Sequence, residues 1–186
     1  MQPYLVTLGL LAALAWWFYN TLVAKRNAVE NAFASIDVYL KKRFDLVPGL
    51  VAVVARYAVH EADTLAKVTE MRARAAGTGS GGSEEQVALG NQVSAGLGRL
   101  LVAVEAYPDL KADESFQQLQ RTLNEIEEQL SASRRAFNAA VTDFNNAIDM
   151  FPGNLMAFAL HFSRRTLLVT AEAERANVNI QDLLKG

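Results

Sequence analysis

The N-terminal stretch Tyr4–Ala24 constrains this chain more than any other part of its sequence. It contains no charged residue, and its clearly polar side chains are Thr7, Asn20 and Thr21. An α-helix needs about 20 predominantly apolar residues to cross the hydrocarbon layer of a bilayer. The sequence therefore predicts a transmembrane anchor over residues 1–24, and the rest of the chain is expected to begin at a membrane surface.

A cleaved signal peptide is the alternative interpretation of this stretch, because residues 13–15 (Ala-Leu-Ala) have the small-x-small spacing that cleavage requires. The preceding residues carry no Lys or Arg, however, and apolar residues continue past that point to Val23. We expect an uncleaved anchor for these reasons. Trp16, Trp17 and Tyr19 are predicted to mark one bilayer interface, since aromatic rings favour headgroup depth.

Basic residues flank the anchor on its C-terminal side. Lys25 and Arg26 follow it directly, and Lys41, Lys42 and Arg43 come later. The positive-inside rule therefore predicts an N-terminus outside the cell and a C-terminal domain in the cytoplasm. These five side chains are candidate contacts with the membrane surface, because an anionic leaflet attracts basic groups close to it.

The composition of the chain favours helices and excludes several kinds of chemistry. Hydrophobic residues make up 51% of the 186 residues, and strong helix formers are common. The net charge of −2 gives no general case for nucleic acid as a partner. The absence of cysteine excludes disulfides and thiol catalysis, and two histidines make a His-rich metal site an unfavoured interpretation.

Apolar residues recur every three or four positions from Lys25 to about Met71, which predicts one long helix continuous with the anchor. Pro48 is expected to kink this helix, because proline lacks the amide donor and crowds the preceding turn. A flexible glycine-rich connector is predicted at residues 77–83 and a second helix at residues 84–106.

A third helix is predicted to begin after Asp113, a candidate N-cap, and to end at Pro152-Gly153. A fourth helix is predicted over Asn154–Arg165, extending weakly beyond it, and residues 177–186 are predicted to form an irregular tail. The predicted fold is therefore all-α, with an N-terminal transmembrane helix that continues into a long antiparallel four-helix bundle over residues 25–176.

Four stretches of the sequence are specific when taken together: YNTLVAKRNAVENAFASIDVYLKKRFDLVPGL, YAVHEADTL, VEAYPDLKADESFQQLQ and RRAFNAAVTDFNNAIDMFP. They resemble the LemA family, and the resemblance covers roughly residues 19–162. Pro48-Gly49 departs from it, since family members often have Pro-Asn there. The resemblance implies an N-terminal membrane helix, a long antiparallel helical bundle and a bacterial cytoplasmic (inner) membrane. It brings no catalytic site, and some family members are linked to shaping or organising membranes.

Candidate chemistry is sparse in this sequence. The His60–Glu61 pair begins like a zinc-protease motif, but the second histidine that the motif needs is replaced by Thr64. His161 lies in an apolar stretch without a second ligand near it in sequence. We therefore predict no enzyme, no catalytic, cofactor-binding or metal-ligating residue, and no small-molecule substrate. Asn138 and Asn145, seven residues apart beside an apolar seam, are predicted to set helix register.

Helix lengths carry the main functional expectation. A helix over residues 25–76 would extend about 78 Å, whereas one over residues 84–106 returns only about 35 Å. Residues 25–47 are therefore expected to lack a partner within the chain, although they carry an apolar stripe that must be covered. This stripe is the candidate self-association surface, and it consists of Val29, Phe33, Ile36, Leu40 and Phe44.

Three functions are compatible with this sequence. The first is a non-enzymatic single-pass membrane protein whose copies associate as a homo-oligomer, forming a helical scaffold that organises or shapes the lipid bilayer. The alternative is an adaptor or regulatory partner that presents its bundle to a second membrane protein, such as a quality-control protease. The third places the domain outside the cell as a binding module.

Overall fold

A computed structural model describes residues 2–58, 61–77 and 84–168 of the chain. Within these ranges the regular structure is helical and includes no strand, which confirms the all-α prediction. His60, most of the glycine-rich connector and the predicted tail at residues 177–186 lie outside the described residues. The helices in chain order are α1 (Gln2–Val54), α2 (Ala62–Gly77), α3 (Glu84–Val104), α4 (Pro108–Ala112), α5 (Glu114–Asp149) and α6 (Gly153–Ala159).

Helix α1 joins the predicted anchor to the domain as one element of 53 residues that contains Pro48. It ends at Val54, where the amide of Tyr57 donates to the carbonyl of Val54 over 3.0 Å and closes a tight turn. The prediction that this helix continues to about Met71 is wrong. Packing overrides the continuous apolar periodicity, because Ala58 is buried after the turn and α2 packs against α1 as a separate helix.

Helix α5 runs antiparallel along the domain part of α1. The rings of Phe33 and Phe137 meet edge-on with centroids 5.6 Å apart, and the Tyr57 hydroxyl donates to an Asp113 carboxylate oxygen over 3.0 Å. Residue numbers rise along α1 as they fall along α5, so the start of α5 faces the end of α1. The predicted cap is present, because Asp113 Oδ1 accepts from the Phe116 amide over 3.1 Å.

Helix α3 packs against α1 and α2, and two glycines allow the close approach. A Cβ atom at Gly90 would lie 2.5 Å from a methyl carbon of Leu40 on α1, and one at Gly96 would lie 3.1 Å from a methyl carbon of Val68 on α2. The buried apolar side chains of α1, α2, α3 and α5 form one hydrophobic core. The absence of a Cβ atom therefore brings the α3 backbone onto its neighbours.

The predicted fourth helix over Asn154–Arg165 is wrong for much of its length. Helix α6 ends at Ala159, and His161 takes a left-handed backbone conformation with φ of 57°. Residues 162–168 are non-helical and return along α5. This change of direction leaves α6 at the same end of the domain as the anchor.

Candidate membrane-facing surface

The candidate self-association stripe lies against helices of the same chain. Phe33 packs on Phe137 of α5, and a Cβ atom at Gly90 of α3 would contact Leu40. The expectation that residues 25–47 lack an intrachain partner is wrong, because α1 ends at Val54 and α5 returns along it toward the anchor. All five stripe residues are buried or half-buried: Val29, Phe33, Ile36, Leu40 and Phe44.

The candidate membrane-surface basic residues separate into different environments. Lys25 Nζ lies 4.0 Å from an Asp143 carboxylate oxygen, and the Arg26 guanidinium lies 6.0 Å from the ring centre of Phe162. Lys41 and Lys42 are exposed, but they lie about 25 Å farther along α1 than Lys25. Because the Debye length is about 8 Å at physiological ionic strength, Lys41 and Lys42 lie too far from the end of the predicted anchor to interact with charge there, and Lys25 and Arg26 remain the candidates for that contact.

Arg43 does not reach any surface, which corrects its assignment as a membrane contact. Its guanidinium is buried, donating to a Glu127 carboxylate oxygen on α5 and to the Gly90 carbonyl oxygen on α3 over 3.1 Å. It also donates to the Ser94 hydroxyl. Burial lowers the pKa of Arg43, and the Glu127 carboxylate opposes this effect. Arg43 therefore joins three helices through hydrogen bonds inside the domain.

A second polar contact lies at the far end of the domain, where Tyr57 meets the cap of α5. Hydrogen bonds from the Phe116 amide and then from Tyr57 lower the pKa of the Asp113 carboxyl. The bond to that carboxylate raises the pKa of the Tyr57 hydroxyl, since it favours the protonated phenol. These two groups stabilise the start of α5 and the end of α1 together.

Histidines, acidic side chains and amides are the remaining candidates for a chemical site. No group of three or more His, Asp or Glu side chains that could hold a metal ion occurs among the described residues. His161 is exposed at the end of α6. Asn138 and Asn145, which were predicted to set register between helices, instead bind backbone that is not helical.

These two asparagines hold the segment that follows α6. The Asn145 side chain accepts from the Arg165 amide and donates to the Arg165 carbonyl oxygen, each over 2.9 Å. Asn138 makes the same pair of bonds with Leu168, at 2.9 and 3.0 Å. Seven residues of helix rise about 10 Å, and three extended residues span about 10 Å, so the two spacings match. The amides therefore hold residues 165–168 along α5.

The N-terminal part of α1 is exposed, in contrast to its domain part. Its apolar side chains from Tyr4 to Trp17 project from the molecule. Both α1 and α3 are long and apolar enough to cross a bilayer, but the apolar window of α3 lies partly inside the domain, whereas that of α1 is almost entirely uncovered. Length, composition and exposure together therefore make the N-terminal part of α1 the better of these two candidate membrane spans.

A second exposed apolar surface surrounds α6. Ala157 and the half-buried Met156 face the core, whereas Leu155 and Phe158 point outward on the opposite face. We call this outward surface the α6 patch, and it consists of Met150, Phe151, Leu155, Phe158 and Leu160. The patch lies at the end of the domain from which the anchor leaves, because α5 ends there beside the first domain residues of α1.

Comparison with known proteins places the chain in a family. A model of the LemA family matches residues 32–181. The chain belongs to the LemA family. It is 26% identical over 180 residues to Protein LemA of Metamycoplasma hominis, a match that covers 97% of this chain and 82% of that protein. Family membership and the exposed N-terminal helix together indicate a membrane-associated protein.

Magnetosome proteins are also similar to this LemA-family chain. The identity is 25% over 170 residues to Magnetosome protein MamQ 2 of Paramagnetospirillum magneticum and 22% over 170 residues to Magnetosome protein MamQ of Magnetospirillum gryphiswaldense. Each match covers 78% of this chain and 62% of the relative. The chain thus spans less than two thirds of the length of these magnetosome relatives.

Sequence reasoning missed both the α6 patch and the captured segment in this family member. The apolar run from Leu155 to Phe162 predicts a helix without showing which of its faces is buried. In the structure one face of α6 is buried and the other is exposed, and this depends on which side α5 covers. Pro152 and Gly153 were a visible signal that the chain turns after α5. The position of that turn relative to the anchor required the register between α1 and α5.

Proposed function

We propose that this chain is a non-enzymatic, single-pass membrane scaffold whose copies associate and organise the bilayer around their anchors. The supporting observation is the continuity of α1, which extends from the exposed apolar N-terminal part into the domain core without a break. An unbroken helix with α5 packed along it fixes the domain relative to the anchor. Such a rod imposes its orientation on the membrane, which a flexibly tethered domain does not.

Association between copies is expected to use faces other than the buried stripe. Anchored copies share one orientation and diffuse in two dimensions, which raises their effective concentration. The exposed N-terminal apolar segment and exposed positions on the outer face of α1, such as Val38, remain available. The domain is proposed to face the cytoplasm, following Lys25 and Arg26 at the end of the anchor.

Reconstitution into vesicles tests the scaffold proposal. We expect particles larger than a monomer in detergent, and vesicles whose curvature changes with protein density when viewed by electron microscopy. Because the chain has no cysteine, a single Val38→Cys substitution gives a clean crosslinking site. A monodisperse monomer that leaves vesicle shape unchanged at high density overturns the proposal. Protease accessibility in spheroplasts separates a cytoplasmic domain from an external one.

A second candidate function, an adaptor for another membrane protein, is favoured by a groove between α1 and α5. Tyr39, Leu46 and Ile126 line it with apolar surface. Its charged lining is mainly acidic, with Lys42 beside Asp45, Glu125 and Glu128. A partner helix with complementary charge fits such a groove. A photo-crosslinker at Lys42 in living cells discriminates the two functions, because a self-crosslink supports the scaffold and a crosslink to one defined membrane protein supports the adaptor.

A further inference from the structure

The α6 patch brings five exposed large apolar side chains together at one end of the described domain. Phe158 is 88% exposed, Phe151 79% and Leu155 62%. Large aromatic and aliphatic side chains clustered in this way mark a surface that is covered in use.

The register between α1 and α5 shows where the patch lies along the molecule. Phe33 faces Phe137, and Lys25 reaches Asp143. The two helices are antiparallel and rise equally per residue, so each step toward the N-terminus of α1 corresponds to one step toward the C-terminus of α5. Continuing from these pairs places Phe151 level with Tyr19, inside the predicted anchor.

We infer that α6 and its flanking residues form a second membrane contact, which inserts into the headgroup region of the same bilayer that α1 crosses. The inference rests on the proposed function, because it needs α1 to span the membrane. A short helix with one face packed on the domain and the other face apolar lies in the interfacial plane. By the same register the exposed Trp16 and Trp17 of α1 lie within about one helical turn of the level of Phe151, so apolar side chains of the anchor and of the patch lie at similar depth.

Charge near the patch supports insertion driven by apolar burial. Lys25, Arg26, Arg164 and Arg165 lie near the patch, beside the last turns of α5 and Phe162. Three acidic side chains offset them in part, since Arg164 Nη1 lies 3.4 Å from an Asp149 oxygen, Arg165 Nη2 lies 4.0 Å from a Glu30 oxygen, and Lys25 pairs with Asp143. The group of charged side chains near the patch is therefore only weakly basic. We expect anionic lipid to strengthen the contact without being required for it.

The bilayer is a better occupant for the patch than a second protein copy. Every copy of the chain holds its patch at the depth of its own anchor, and a bilayer is present there whenever the anchor spans it. A partner protein would have to displace lipid from the level of Tyr19 to reach Phe151. The contact also attaches the C-terminal end of α5 to the membrane. The domain then has two attachment points, α1 and the α6 patch.

Site-specific fluorescence on the full-length protein tests this inference. Single substitutions Phe158→Cys and Leu155→Cys, each labelled with nitrobenzoxadiazole, report on the patch in phosphatidylcholine vesicles with and without phosphatidylglycerol. Leu11→Cys reports on the anchor. Val102→Cys is the matched control, because Val102 is apolar and 74% exposed but lies near the other end of the domain, about 50 Å away.

We expect iodide in the water to quench the Phe158 and Leu155 labels several-fold less than the Val102 label, and nitroxide on the lipid chains to quench them several-fold more. Equal iodide quenching at Phe158 and Val102, with Leu11 shielded, overturns the inference and leaves the anchor intact. Shielding of Phe158 from both quenchers also overturns it, since a protein then covers the patch. Iodide access to Leu11 overturns the proposed function itself.

Discussion

Arg43 on α1 and Glu127 on α5 form an ion pair in which the guanidinium is buried while the carboxylate side chain remains 43% exposed. The two partners are therefore unequal. Removing the carboxylate leaves a cation without its counter-charge inside the protein, whereas removing the guanidinium leaves a carboxylate that water can solvate. Desolvating an ion costs several kcal/mol, so this asymmetry governs how the domain responds to substitution.

Glu127→Leu is expected to lower the free energy of unfolding by about 3 kcal/mol, because it strands the buried cation. Arg43→Met is expected to cost only about 1 kcal/mol, since a similar apolar chain fills the space. Denaturant midpoints of the full-length protein in detergent, followed by circular dichroism, check the order. Lys42→Met, at an exposed neighbouring position, is the control and should be nearly neutral. Equal losses of unfolding free energy in Glu127→Leu and Arg43→Met would show that the two charges are not unequally buried.

Asn145→Ala is expected to release the segment that returns along α5. The substitution removes two hydrogen bonds to Arg165, which together contribute about 2 kcal/mol. Hydrogen exchange at the Arg165 amide should accelerate, with a smaller change at Leu168, which Asn138 still holds. Asn146→Ala changes an exposed neighbour of the same type and should leave both amides protected. Unchanged exchange at Arg165 in the Asn145→Ala variant would show that Asn145 does not hold residues 165–168 along α5.

Acid is expected to weaken the junction between Asp113 and Tyr57. The pKa of Asp113 lies below its ordinary value of 3.8, so its carboxylate contributes stability that is complete well above pH 3.8. This contribution is lost as the pH falls through the lower pKa of the folded state. Asp113→Asn keeps a capping side chain without a charge, and its unfolding midpoint should vary less between pH 5 and pH 2.

Tyr57→Phe removes the second cause of the shift and should reduce the same acid dependence by a smaller amount, because the Phe116 amide still bonds to Asp113. Thermal melts at several pH values measure both variants. A wild-type protein whose acid dependence is identical to that of Asp113→Asn would show that this carboxylate does not contribute to it.

Two glycines of α3 are expected to respond oppositely to the same substitution. A Cβ atom at Gly98 meets open space, so Gly98→Ala should stabilise the helix by about 1 kcal/mol. A Cβ atom at Gly90 would lie 2.5 Å from a methyl carbon of the buried Leu40, and overpacking of this kind typically costs about 1–3 kcal/mol. Gly90→Ala should therefore destabilise the protein. Thermal stabilisation by both substitutions would show that α3 does not pack this closely on α1.

The sequence predicted the elements whose signals are local. Asp113 caps α5 as predicted from its position before the helix. The sequence also has an apolar residue at every seventh position from Phe116 to Phe151; those from Phe116 to Phe144 form the buried face of α5, whereas Phe151 lies beyond the helix and is 79% exposed. Both features depend on residues within a few turns of one another. The same reasoning placed Arg43 at a membrane surface, because a basic residue near an anchor looks the same in sequence whether or not a carboxylate faces it.

The helix boundary at Val54 shows why the predicted self-association surface failed. Apolar periodicity continues past Val54, so no local signal in the sequence ends the helix there. The predicted helix over residues 25–76 would be about 78 Å long, and its first turns, residues 25–47, would lack a partner within the chain. The break after Val54 brings α2 back onto α1 and lets α5 cover Phe33 and its neighbours. The wrong C-terminal boundary of α1 is therefore the reason why the buried stripe around Phe33 was predicted to be a self-association surface.

By itself, the sequence determined the apolar N-terminal segment, the helical class, the family resemblance and the start and buried face of α5. Each follows from composition, capping or periodicity, which act over one to a few helical turns. Only the tertiary structure decided that Arg43 is buried, that Asn145 holds Arg165, and that Phe158 lies beside the anchor. These features depend on residues far apart in the sequence, such as 20 positions for Asn145 and Arg165 and 84 for Arg43 and Glu127. The register between α1 and α5 that brings them together results from packing of the whole core.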